Sequence, residues 1–168
     1  MEIYTVLKAD HQDIKMILKR LKRTTEKSGH RREMLLQKLK ETLVPHSRAE
    51  EQVLYDRLKE SRVKDADSLA FEGYEEHALV DHLMGQISMT STDDKKWGAL
   101  MAVIQENLEH HIREEEKETF VKAKKSFDHE TAMCMAEEFR LLKNAFLGEL
   151  KSGKTPAQAP SSQIVKAA

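Results

Sequence analysis

The sequence predicts an all-α protein, an up-and-down four-helix bundle with an additional C-terminal helix. Three observations carry this expectation. Apolar residues recur at steps of three and four through nearly the whole chain as far as Leu150, which is the helical period. The composition, 39% apolar and 34% charged, suits long helices with a narrow apolar stripe and a wide solvated face. Only six Gly and three Pro occur in 168 residues, which leaves little material for the turns of a β protein.

The elements follow in order. A first helix is expected over residues 3–26, stopped by Ser28 and Gly29. A second, over 31–61, contains Pro45, which removes a backbone bond and should kink the helix or divide it in two. The third is expected over 66–89. Ser91 or Thr92 then offers an N-cap to a fourth that continues to Lys125. At about 1.5 Å per residue these are rods of roughly 35 to 50 Å, the shape of an antiparallel bundle with short loops. A fifth helix, over 128–150, carries the stripe Met135, Phe139, Leu142, Phe146 and Leu150, and should pack against the outside of the four. The last stretch holds the remaining prolines and no periodicity. The expected organisation is therefore one helical domain over 1–151 and a disordered tail over 152–168.

Charge and cysteine content exclude several classes. Lys and Arg number 28 against 29 Asp and Glu, a net charge of −1, so no overall field draws the chain to nucleic acid or to an anionic membrane. No apolar run approaches the roughly 18 residues that a membrane span needs. A single cysteine, Cys134, allows no intramolecular disulfide, and it is expected to be a half-buried thiol. The start MEIYTVLKAD lacks the basic and apolar segments of a signal peptide. A cytoplasmic protein is expected. The eight Met are read as gap filling in the bundle core.

The eight His are the unusual feature. The inner stripe of the first helix reads Ile3, Leu7, His11, Ile14, Leu18, Leu21. On the second it reads Leu36, Leu39, Leu43, His46, Glu50, Val53, on the third Tyr74, His77, Asp81, Met84, and on the fourth Met101, Ile104, Leu108, His111, Glu115. Each of the four thus places an imidazole where Leu would otherwise sit. A buried carboxylate needs compensating positive charge close by. Imidazole and carboxylate three or four residues apart on facing helices are how bundles build dinuclear metal sites. His30, His110 and His129 are expected at the surface, and so in the main is His82. The neighbouring acids Asp10, Glu51, Glu76 and Glu116 are placed to accept the other ring N–H of a ligand His; solvated helix surface accounts for them equally well. Tyr74, one turn before His77, is either plain core or a hydrogen-bond donor to a bound oxygen species.

The two halves also repeat one another. His46-x-x-x-Glu50-Glu51 aligns with His111-x-x-x-Glu115-Glu116, with an aromatic nine residues after each His, Tyr55 and Phe120. With His11 in an Asp-His pair and His77 in a Glu-Glu-His segment, the chain resembles the hemerythrin-like family, the HHE cation-binding domains, over roughly residues 1 to 125. That resemblance implies a non-haem di-iron centre. His11, His46, His77 and His111 would be terminal ligands, with Glu50 and Glu115 as bridging carboxylates beside an oxo or hydroxo bridge. It implies a small diatomic or peroxide ligand: dioxygen, nitric oxide or peroxide, bound for sensing, storage or detoxification. Oxygen-carrying members place a second His four residues beyond the one on the third helix, where this chain has Asp81 followed by His82. Two octahedral irons would then keep roughly two open positions, an openness that favours reactivity over storage. A di-iron peroxidase, catalase-like enzyme or oxidase is the alternative reading, and a metal-stabilised interaction module is a third.

Overall fold

A computed structural model describes residues 1–158. Among these the chain is helical throughout, with no strand. Helix α1 is Ile3–Leu21. Helix α2 begins as Gly29–Glu50, continues through a π-helical segment, Glu51–Tyr55, and closes with Asp56–Lys59. Helix α3 is Ala66–Ser88. Helix α4 repeats the pattern of α2, running as Lys95–Glu114, then a π-helical Glu115–Thr119, then Phe120–Ser126. Helix α5 is His129–Lys151.

Several ends differ from the expectation for physical reasons. The apolar stripe of α1 runs out at Leu21, and the residues after it bring nothing to bury. The Thr24 hydroxyl donates to the Leu21 carbonyl at 2.7 Å, which fixes the turn there. The N-cap of α4 is Asp94, whose carboxylate accepts from the Lys96 N–H at 2.8 Å, rather than Ser91 or Thr92; the Ser91 hydroxyl is bonded to Asp93 instead. Pro45 does not divide α2, which stays α-helical to Glu50. The change of winding comes after the His-x-x-x-Glu segment instead.

Two apolar clusters fill the molecule, and they show which ends of the helices meet. One gathers Ile3 and Leu7 of α1, Leu54 and Leu58 of α2, Ala70 of α3, Phe120 of α4 and Phe139 of α5. The other gathers Leu18, Leu39, Ile87, Trp97 and Ile104 from the opposite halves of the first four helices. His11, His46, His77 and His111 are all buried and lie between the two clusters along their helices.

Helix α5 packs chiefly on α2 and α1 through Ala132, Met135, Ala136 and Phe139. Beyond it, residues 154–158 have no regular structure, but Pro156 is buried. Its carbonyl accepts from Arg48 Nε at 3.2 Å, and Gln158 Nε2 donates to the Tyr74 carbonyl at 2.7 Å. This part of the expected tail is therefore docked on the bundle; residues 159–168 lie outside the described residues. Cys134 is exposed, not half-buried. Met1, Met16, Met34, Met89 and Met133 are also exposed, so most of the Met do not fill the core. Among the described residues no helix is long and apolar enough to cross a membrane.

Candidate metal centre

The two π-helical segments follow directly on the two acids that end the His-x-x-x-Glu pairs. An α-helix turns about 100° per residue, so a residue five positions after Glu50 would point about 140° away from it. The wider turn, closed by bonds from the Asp56 and Phe120 N–H groups to the Glu51 and Glu115 carbonyls, takes up one extra residue. It brings Tyr55 and Phe120 back to the side of their glutamates, a use of π-turns common at functional sites. Tyr55 then stacks obliquely on His77 with ring centroids 5.5 Å apart, and Phe120 stacks on His11 at 6.1 Å. Gly73 of α3 makes room for Tyr55: a Cβ there would lie 2.7 Å from the Tyr55 ring.

The structure brings all six expected residues to one buried point. Glu50 Oε2 lies 3.5 Å from His46 Nε2 and 3.6 Å from His77 Nε2. Glu115 Oε2 lies 3.2 Å from His11 Nε2 and 4.0 Å from His111 Nε2. Donor atoms of His11, His46 and Glu50 fall within 4.8 Å of one another, and so do those of Glu50, His77 and His111. Glu50 is common to the two triads, and Glu115 approaches one histidine of each.

Hydrogen bonding does not account for this arrangement. His11 Nε2, Glu50 Oε1 and Glu115 Oε2 are buried without a hydrogen-bond partner, although His11 and Glu115 are close; their approach is not aligned as a bond. Buried polar atoms are nearly always satisfied. Two donors each about 2.1 Å from one cation and at right angles around it lie about 3.0 Å apart, close to the separations seen here. The residues present fit a pair of cations.

The outer nitrogens are equally ordered. Nδ1 of His11, His46, His77 and His111 lies 3.0, 3.0, 2.9 and 2.6 Å from carboxylate oxygens of Glu116, Asp10, Glu51 and Glu76. An ionised carboxylate only accepts, so each Nδ1 carries a proton, and Nε2 is the nitrogen that faces inward and is free to ligate when the ring is neutral. Three of these acids have a cation of their own. Lys143 of α5 reaches both oxygens of Asp10 at 2.6 Å, Arg48 lies 3.0 Å from Glu51, and Lys15 lies 3.5 Å from Glu116.

Charge in the cation-free chain is divided unevenly. Burial opposes a charged His46, but Glu50 and Asp10 outweigh it and push its pKa up to about 10. His77 is lowered to about 3, by burial first and by neighbouring His111 second. His111 is raised against burial by Glu76, Glu115 and Glu50. Burial works against an ionised Glu115 too, yet the close approach of His11 and the charge of His111 hold it well below the usual carboxylate range. Burial, followed by Glu115 and Glu50, pushes the Tyr55 hydroxyl well up, so it remains a donor.

Other expectations change. Asp81 does not reach the centre; the buried Arg48 guanidinium holds its carboxylate. As expected, His82 is exposed and pairs with Gln86, and His30, His110 and His129 have exposed side chains. Tyr74 is not the tyrosine at the centre. Its hydroxyl donates to Asp56 at 2.7 Å and lies 3.1 Å from the Glu51 carbonyl. That place belongs to Tyr55, whose hydroxyl lies 3.0 Å from Glu115 Oε1 and 3.5 Å from Glu50 Oε2. The aromatic nine residues after the His in both halves was the signal for it.

Comparison with known proteins gives three results. The family model described as the hemerythrin HHE cation-binding domain matches residues 2–123, which takes in all six residues and stops short of α5. A crystal structure of a hemerythrin HHE cation-binding domain-containing protein from Mycobacterium kansasii superposes with a TM-score of 0.73 at 22% identity, covering 90% of this chain and 93% of that one. At that identity the likeness is one of fold. No curated protein matches the chain.

Proposed function

The chain belongs to the hemerythrin HHE cation-binding domain family, and we propose that it holds two iron ions and binds dioxygen or a related small molecule, nitric oxide or peroxide, for sensing, storage or detoxification. In this reading His11 and His46 would hold one iron and His77 and His111 the other, with Glu50 and Glu115, each close to a histidine of both pairs, available to both. The observation that carries it is Glu50, one buried carboxylate shared by two histidine pairs. When bound, the irons supply reversible electron exchange with the small molecule. The chain's residues do the rest. Four carboxylates fix the imidazole tautomers, the two apolar clusters keep bulk water away from the centre, and Tyr55 offers an O–H donor beside it. The up-and-down order of the four helices and a cytoplasmic setting belong to the same reading.

A second reading, turnover of peroxide or reduction of oxygen, is favoured by the engagement of Asp81 with Arg48. That contact keeps Asp81 away from the centre, which would leave bound irons more open positions. Protein purified in air should contain about two irons per chain and the absorption of oxygen-bridged ferric iron. A colourless, metal-free and fully folded chain would overturn the proposal. Peroxide consumption by the iron-loaded chain, lost in His77→Ala, selects the second reading over simple binding.

A further inference from the structure

Of the four carboxylates that hold the histidines, Glu76 stands apart. Asp10, Glu51 and Glu116 each have a lysine or arginine partner, whereas Glu76 has none within 4 Å among the described residues. One oxygen of Glu76 takes the His111 Nδ1–H at 2.6 Å. The other faces His110, whose Nε2 is 4.0 Å away and itself lies 3.2 Å from Glu114. Glu76, His110 and Glu114 thus place one donor atom each within 4.8 Å of one another. All three reach solvent, with side chains 26%, 48% and 41% exposed.

A narrow cleft starts beside them. Glu72, Gly73, Glu76 and Glu114 line it, together with the buried His111 and Glu115. Its free volume is about 10 Å³, room for a single water or a bare ion. Glu115 is only 2% exposed, and its Oε2 is buried without a hydrogen-bond partner. Glu115 thus lines the cleft and also carries an unsatisfied acceptor beside His11 and His111, a setting that favours a cation.

We propose that Glu76, His110 and Glu114 form a surface capture site for a divalent metal ion and that this cleft passes the ion inward to the histidine and carboxylate centre. The inference rests on the reading that the centre holds metal. The acidic side chains Glu72, Glu76 and Glu114 along the cleft concentrate cations there. Glu76 joins the two sites, because it offers one oxygen to the outer group while the other holds the first inner histidine. The groove beside Glu116 is lined by Lys8, Lys15, Lys19, Lys22, Arg23 and Lys117, so entry by that route meets repulsion. Arg113 bonds the outward Nδ1 of His110 at 3.2 Å and leaves Nε2 facing Glu76 and Glu114.

The test is the rate at which the full chain, stripped by a chelator, takes up Co(II), whose visible absorption reports imidazole and carboxylate ligation. The double variant His110→Ala, Glu114→Gln should fill to the same final stoichiometry as the unaltered chain. It should do so about tenfold more slowly at low ionic strength, with the difference shrinking as salt is added. A surface control, Glu41→Gln, should load at the unaltered rate. Equal rates in the double variant and the unaltered chain overturn the proposal, as does equal slowing in the control. A lower final stoichiometry in the double variant also overturns it, because His110 or Glu114 would then belong to the inner ligands. An unaltered chain that takes up no Co(II) removes the metal-centre reading, and this proposal with it.

Discussion

His77 and His111 face one another nitrogen to nitrogen, with Nε2 atoms 3.2 Å apart and both Nδ1 atoms committed to carboxylates. Two lone pairs so placed repel unless a proton or a cation lies between them. Replacing His77 with Ala removes a donor from one triad and leaves His11, His46 and Glu50 intact. Bound iron should fall from about two to about one per chain by metal analysis, with helix content retained by circular dichroism. An unchanged ratio would show that His77 is not a ligand.

The stripped chain should have its stability maximum near neutral pH. His46, with its folded pKa raised to about 10, contributes stability that is fully present below its ordinary value of about 6.5 and lost as pH rises through about 10. His77 works in the opposite sense. With its folded pKa lowered to about 3, the unfolded chain takes up a proton that the folded chain refuses, so stability falls as pH drops from about 6.5. Glu115, lowered in the folded state, adds to the loss on the acid side. Metal binding releases protons, so the loaded chain should instead gain on its stripped form as pH rises. Thermal melts of both forms at pH 5, 6.5 and 9 check the two slopes.

Tyr55→Phe removes one hydroxyl that donates to Glu115 and keeps the ring over Gly73. Iron content should be unchanged, and stability should fall by about 1 to 3 kcal/mol, because Glu115 Oε1 is left unpaired. Rates of reaction with peroxide, or of nitric oxide release, should shift by about 100-fold, the lower end of the scale for one such donor. Loss of iron in this variant would instead make Tyr55 a ligand.

Asp10→Asn should weaken metal binding by about 10- to 100-fold, since Asp10 orients His46 and holds its proton on Nδ1. Lys143→Met acts one step further out, on Asp10 alone, and should give a smaller loss in the same direction. Competition with a coloured chelator measures both. If Lys143→Met leaves affinity unaltered, α5 contributes packing only.

Arg48→Met leaves Glu51 buried without its cation and frees Asp81 and the Pro156 carbonyl. Destabilisation of about 3 to 5 kcal/mol is expected in urea titration, the scale of breaking a buried pair. Removal of residues after Lys151 should cost less, because it takes only the Pro156 contact and the Gln158 bond to Tyr74.

The stripes at helical spacing were enough to place His11, His46, His77, His111, Glu50 and Glu115 on inner faces, because four apolar rods can bury only those positions. They also left Asp10, Glu51, Glu76 and Glu116 beside the seam, where each now meets one imidazole. Asp81 shows where the pattern misleads. It occupies a stripe position, but a buried guanidinium one helix away draws its carboxylate aside, and periodicity carries no information about that competitor. Tyr55 was hidden for another reason, since five residues from Glu50 is the wrong side of an α-helix and only the π-turn corrects it. Lys143 could not be read at all. Its partner Asp10 is more than a hundred residues away, and nothing local in α5 marks that lysine from its neighbours.

The repeated wide turn places a phenol over one pair of imidazoles and a phenyl ring against the other. The duplicated segments thus bring unlike rings to the centre, Tyr55 to His77 and Phe120 to His11, so two metal ions held there would have unlike surroundings. One-electron oxidation of a reduced centre should therefore trap the hole on one iron, giving a valence-localised spectrum rather than an averaged one.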